Sequence, residues 1–100
     1  MDKYTVKLYA RAYRDLDGIY AYIADNLQEP DVAGKMIDAL EEAILGLEIF
    51  PERGSVRRIG VYANQNYRQL FVKNYVIIYR VEHAEKEVHI VTVRYAPSSF

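Results

Sequence analysis

The stretch YRQLFVKNYVIIYRVEHAEKEVHIVTVRY, residues 67–95, decides the fold. Two breaks divide it into three short runs rich in Tyr, Val, Ile and Phe, residue types that suit a pleated, half-buried surface. Lys73-Asn74 is short enough for a two-residue hairpin, and Asn at its second position tolerates the positive φ such turns want. His83-Ala84-Glu85-Lys86 is polar and fits a looser loop. The pattern predicts three consecutive antiparallel strands, a meander, at 67–72, 75–82 and 87–95, with the other segments packed onto it.

Upstream, residues 51–66 form the longest irregular stretch, punctuated by Pro51, Gly54, Ser55, Gly60, Asn64 and Asn66 and made basic by Arg53, Arg57 and Arg58. A basic loop beside a sheet is either a contact surface or a solvated connection. Before it, Ala33, Met36, Ile37, Leu40, Ile44 and Leu47 form the apolar stripe of a helix at about 30–48. Pro30 suits its first position and Pro51 closes it. An earlier helix at 12–26 carries Leu16, Ile19, Tyr20 and Ile23, and Asn26 ends it. The few residues between the two make an antiparallel helical hairpin. At the N-terminus, Tyr4-Thr5-Val6-Lys7-Leu8-Tyr9 alternates as a strand. The fold class expected is α+β: an N-terminal strand, an antiparallel helical hairpin, then a three-stranded antiparallel meander, in one domain over 1–100.

Composition narrows the function. The hydrophobic fraction of 51% and charged fraction of 27% are those of an ordinary soluble globule. With no cysteine, disulfides, cysteine-based zinc sites and a thiol nucleophile are excluded. No apolar run reaches a membrane-spanning length and the N-terminus lacks a signal-peptide core, so a cytoplasmic protein is expected. Net charge is −1, which argues against nucleic-acid binding in bulk. The charge is partitioned, however: residues 12–52 sum to −8, whereas residues 53–81 sum to +6 and contain no acid.

Alternation along the meander sorts its side chains into two sets. Tyr67, Gln69, Phe71, Tyr75, Ile77, Tyr79, Val81, His89, Val91, Val93 and Tyr95 form the aromatic-rich set expected under the helices. The opposite set presents Leu70, Val72, Val76, Ile78, Val88 and Ile90, with Arg68, Arg80 and Arg94 at its margins. Two helices cannot cover both sides, so the second set is expected to face another chain or a bound peptide behind a positive rim. A β-bulge would upset this division.

Strand, helical hairpin and meander at this length resemble the RelE/ParE superfamily of bacterial type II toxin–antitoxin toxins. The pieces that carry the resemblance are RDLDGIYAYI at 14–23, FPERG at 50–54, YRQLFVKNYVIIYRV at 67–81 and VHIVTVRY at 88–95. The resemblance implies a small cytoplasmic toxin held inactive by a cognate antitoxin, as a homodimer or as a hetero-oligomer with it, without cofactor or metal. RelE-like members cleave mRNA on the ribosome with basic side chains and a C-terminal tyrosine; ParE-like members poison DNA gyrase. On the nuclease pattern Arg68, Arg94 and Tyr95 would be catalytic, but Leu70 and Val76 stand where further basic residues are expected. Ala96-Pro97-Ser98-Ser99-Phe100 replaces the basic residues that normally follow the last strand. Metal-free cleavage needs cations around the phosphorane, so the gyrase reading leads. On that reading Arg57, Arg58, Arg68, Arg80 and Arg94, with Leu70, Val72, Val76 and Ile78, contact target or partner. The alternatives are the ribosome-dependent nuclease and an attenuated relative that only binds its antitoxin.

Other chemistry is thin. His83 and His89 read as structural or exposed, and with no cysteine a metal site would have to borrow carboxylates. Asp15/Asp17 and Glu41/Glu42 read as solvated helix faces.

Overall fold

A computed structural model of the chain describes residues 3–63 and 65–98; Asn64, Ser99 and Phe100, which the reading above used, lie outside them. The elements run β1 (Thr5–Leu8), α1 (Ala10–Ala21), a π-helical turn (Tyr22–Asn26), α2 (Pro30–Gly46), β2 (Ser55–Val56), β3 (Tyr67–Val72), β4 (Tyr75–Glu82) and β5 (Glu87–Tyr95). The meander strands fall where the breaks predict. The first helix starts two residues earlier than expected, and its last turn widens so that the Leu27 N–H reaches the Tyr22 carbonyl, five residues back. Gln28, at φ 54°, then turns the chain into Pro30. In the Lys73-Asn74 hairpin the positive φ falls on Lys73, at 53°, rather than on Asn74.

The five strands form one sheet in the order β1-β5-β4-β3-β2. β1 lies parallel to β5, pairing Thr5 with Glu87 through Leu8 with Ile90; all other pairings are antiparallel. The short β2, which the punctuated loop hid, pairs Ser55 with Gln69 and Val56 with Arg68.

Register overturns the face assignment. Lys73-Asn74 sets Val72 opposite Tyr75, and directly opposed residues share a face. Leu70 and Val72 therefore lie on the helix side with Tyr75, Ile77 and Tyr79, while Tyr67, Gln69 and Phe71 turn away. In β5 a bulge opposite Ile78/Tyr79 pairs Ile78 with Thr92 but Tyr79 with Ile90, so Val91 is the extra residue. Val88 and Ile90 thereby join Val93 on the helix side, and His89 joins Thr92 on the other. The expected apolar second face is thus divided. Leu70, Val72, Val88 and Ile90 belong to the helix-side core, and only Val76 and Ile78 remain opposite.

That core packs Leu16, Ile23, Met36, Leu40, Ile44 and Leu47 of the helical segment against Ile77, Tyr79, Val88, Ile90 and Val93. Burying each large apolar side chain contributes about 1.5–3 kcal/mol before entropy is counted.

Candidate functional site

The arginines singled out from sequence have separate fates. Gly54 packs so closely on β3 that a Cβ there would lie 2.3 Å from the Gln69 carbonyl oxygen. Its N–H donates to the Tyr79 hydroxyl at 2.9 Å. Its carbonyl accepts from Arg68 Nε at 3.0 Å and Nη2 at 2.7 Å, and Nη2 also reaches the Glu52 carbonyl at 3.2 Å. The Arg68 fork therefore holds the Glu52–Gly54 turn against the sheet. Burial pushes the Tyr79 phenol above its usual range, against the opposing pull of the Gly54 N–H and the Arg68 charge.

Arg57 is only 5% exposed; its Nε donates to the Ile59 carbonyl at 3.0 Å and its Nη1 to Gln69 Oε1 at 2.9 Å. Arg80 pairs with Glu82 at 2.6 Å and sits 5.7 Å from the centre of the Tyr67 ring. Burial alone would lower its pKa, but the bond and charge of Glu82 outweigh that and raise it. Arg58 is exposed.

The positive rim is divided as well. Arg80 and Arg94 lie on the face away from the helices, whereas Arg68 shares the face of its partner Tyr79. Val76 and Ile78 are 0% exposed, flanked by Phe71 and Arg94 and by Gln69 and Thr92 respectively. The outer face is consequently no open apolar platform. The three residues of the nuclease pattern do not converge either. Tyr95 pairs with Tyr75 and Arg94 with Val76, while Arg68 pairs with Tyr79, about 13 Å further along the sheet.

What the fold does build is a groove of about 980 Å³ on the helix side. Ile19, Tyr22, Ile23, Leu27, Val32 and Met36 line it from the helical segment, and Tyr75, Val93, Arg94 and Tyr95 from the sheet. Among the described residues Arg14, Lys35, Lys73 and Arg94, the last at the β5 edge where its Nε reaches the Thr92 hydroxyl, line it with positive charge against Asp15. β1 ends opposite Ile90, so the outer edge of β5 beyond that point has no strand beside it among the described residues. Asp15 covers that edge: its Oδ2 accepts the Val93 N–H at 3.0 Å and the Thr92 hydroxyl, and Arg94 Nε donates to the same hydroxyl at 3.2 Å. Reading Asp15 as a solvated residue was wrong; nothing in the helix sequence announces a partner 77 positions away. At the groove mouth the rings of Tyr75 and Tyr95 meet edge to face at 5.8 Å. Burial, then the neighbouring phenols of Tyr95 and Tyr22, raises the pKa of Tyr75.

The histidines clasp β1. The Tyr4 hydroxyl meets His83 Nδ1 at 2.9 Å, and the Tyr9 hydroxyl meets His89 Nδ1 at 3.1 Å. His89 Nε2 lies 2.9 Å from Glu87, which Lys7 approaches to 2.7 Å. A carboxylate only accepts, so neutral His89 carries its proton on Nε2 and the Tyr9 hydroxyl donates to Nδ1. Lys7 first, then His89, holds the Glu87 carboxyl below the usual carboxylate range.

A family profile described as the ParE toxin of the type II toxin–antitoxin system, parDE, matches residues 6–97. No curated protein sequence matches. Among solved structures, the chromosomal ParDE toxin–antitoxin system of P. aeruginosa is similar at a TM-score of 0.76 and 24% identity, over 93% of this chain and 96% of that one. A RelBE toxin–antitoxin complex of Mycobacterium tuberculosis follows at 0.68 and 23%, over 93% and 98%. The archaeal RelE–RelB complex of Pyrococcus horikoshii gives 0.64 and 17%, over 97% and 99%. At these identities the structural likeness speaks for the shared fold, while the profile spans nearly the whole chain.

Proposed function

The chain belongs to the ParE toxin family of type II toxin–antitoxin systems, and from that premise we propose that it arrests growth by acting on DNA gyrase until a cognate antitoxin occupies its helix-side groove. The observation that carries the target is the fate of the basic residues. Metal-free RNA cleavage needs several cations converging on one phosphate. Here Arg68 and Arg57 are committed to holding loop carbonyls, Arg80 is paired with Glu82, and Leu70 and Val76 are packed apolar residues. A protein target read by a distributed surface asks for no such convergence. Arg58 and Tyr95 are exposed and, with the partly exposed Arg94, are proposed as target contacts.

The groove supports the antitoxin reading. Its apolar lining and basic excess match an apolar segment bearing acidic residues. A second reading, ribosome-dependent mRNA cleavage, draws on Arg94 and Tyr95, which both border that groove.

The decisive experiment follows supercoiling of relaxed plasmid by gyrase, with ATP, across a wide range of purified toxin. Inhibition with trapped cleavage complexes is expected. Unaffected gyrase together with new transcript ends on translating ribosomes would transfer the protein to the nuclease reading. If both substrates stay intact, the chain is a relative that retains only antitoxin binding.

A further inference from the structure

A second groove, of about 490 Å³, lies on the other side of the helical hairpin, between α1, α2 and Leu8 of β1. Its most exposed apolar lining comes from Tyr13, Tyr20 and Leu45, and its charged lining among the described residues is Asp17 and Glu41. Its sign is therefore opposite to that of the larger groove.

The complement of this surface is on the same chain. The loop after β2 exposes Arg58 beside Ile59 and Val61, which are 67% and 72% exposed, the highest values among the large apolar residues described. This loop is held in shape: buried Arg57 grips the Ile59 carbonyl, and Gly60 turns the backbone at φ 78°. A preformed apolar projection with one adjacent cation loses little entropy when it enters an apolar cleft lined with acids. It cannot reach the groove of its own chain. In the order β1-β5-β4-β3-β2, the groove adjoins the β1 edge and the loop follows the β2 edge, at opposite ends of the sheet.

We propose that a second copy of this chain fills the acidic groove with its loop, Ile59 and Val61 packing on Tyr13, Tyr20 and Leu45 while Arg58 approaches Glu41 and Asp17. Because loop and groove are different surfaces at opposite ends of the sheet, the contact is either made twice in a reciprocal two-fold dimer or repeated head-to-tail into rings or open chains. A net charge of only −1 leaves little general repulsion between copies. The contact is small and half electrostatic, so it forms at high protein concentration and weakens as salt shortens the screening length.

Sedimentation velocity of the purified chain over a wide concentration range, at low and at high salt, reads this directly. Concentration-dependent species larger than the monomer are expected at low salt. Glu41→Arg and Arg58→Glu change exposed side chains, so each should leave the circular dichroism spectrum intact while weakening association about tenfold or more. An equimolar mixture of the two variants regains association, because each supplies the surface the other has lost. A monomer at every concentration in low salt would overturn the proposal. So would association that neither variant alters, or a mixture that fails to recover. A monomer whose antitoxin affinity falls with Glu41→Arg would assign the groove to the antitoxin instead.

Discussion

Asp15 accepts the backbone N–H of Val93 at 3.0 Å, joining the first helix to the last strand across 78 positions of sequence. The same oxygen takes the Thr92 hydroxyl, so one carboxylate satisfies two donors where the outer edge of β5 has no strand beside it among the described residues. Asp15→Ala strips both and leaves the fully buried Thr92 hydroxyl without its acceptor. The expected loss is about 1–3 kcal/mol in chemical denaturation, with Asp15→Asn recovering part of it.

Gly54 tolerates no side chain, since a Cβ would meet the Gln69 carbonyl at 2.3 Å and the Tyr79 hydroxyl at 2.8 Å. Gly54→Ala should lower stability by about 2–4 kcal/mol by prising β2 from β3. Tyr79→Phe tests the other half of the contact. It orphans the buried Gly54 N–H at a cost of about 1–3 kcal/mol, measured by the same unfolding curves.

Arg68 is the residue for which structure changes the experiment. From sequence alone, charge reversal there separates a nuclease from a gyrase binder. With its guanidinium on the Gly54 and Glu52 carbonyls, reversal would unseat that turn under either reading. Even Arg68→Lys, which cannot reproduce the planar fork, should lower the unfolding free energy by about 1–2 kcal/mol. Arg94→Ala and Tyr95→Phe take over as target probes. On the gyrase reading each weakens inhibition only partly; loss of all activity from either one would favour nuclease chemistry.

Glu87 gives the fold an acid limb. Its folded pKa is depressed below the ordinary 4.5 by the Lys7 and His89 contacts. Its contribution is therefore complete above that unfolded value and is lost as pH falls through the lower folded one. Denaturation midpoints of the parent and of Glu87→Gln should differ by a constant amount above about pH 5 and converge in stronger acid. A gap that stays constant down to pH 3 would remove Glu87 from the clasp.

Val32 lines the larger groove and is half exposed, so it can be changed without opening the core. Val32→Glu should keep the melting temperature within a few degrees while weakening capture by the cognate antitoxin about tenfold or more. Unaltered affinity, measured by titration calorimetry, would move the antitoxin elsewhere on the toxin.

Much of the architecture was legible because its signals are local. The breaks at Lys73-Asn74 and His83–Lys86 are turn chemistry, and the apolar stripe from Ala33 to Leu47 is helical periodicity; both placed their elements within two residues. Faces and partners were harder. Assigning Leu70 and Val72 to the helix side needs the hairpin register, and assigning Val88 and Ile90 needs the bulge at Val91, which no residue type advertises. β2 is two residues long and exists through its partner strand. The surroundings of the arginines were hidden for the same reason. An arginine in sequence is only a charge, and whether it faces a target or a carbonyl depends on contacts such as Gly54–Arg68, separated by 14 positions. The groove was invisible until the π-helical turn and the end of β5 were placed together.

The parallel pairing of Thr5 with Glu87 sets a timetable. Among the described strands β1 is made first, yet the strand beside it is made last, 82 residues later. At a synthesis rate of about 5–20 residues per second, that gap amounts to roughly 4–16 s. Throughout it the helices lack the strand that brings Val88, Ile90 and Val93 to their core, and the groove lacks the wall formed by Val93 and Tyr95. A ribosome making this chain therefore carries an unfinished fold until Glu87–Tyr95 has been made. The groove proposed to take the antitoxin exists only once the last of these strands lies beside the first.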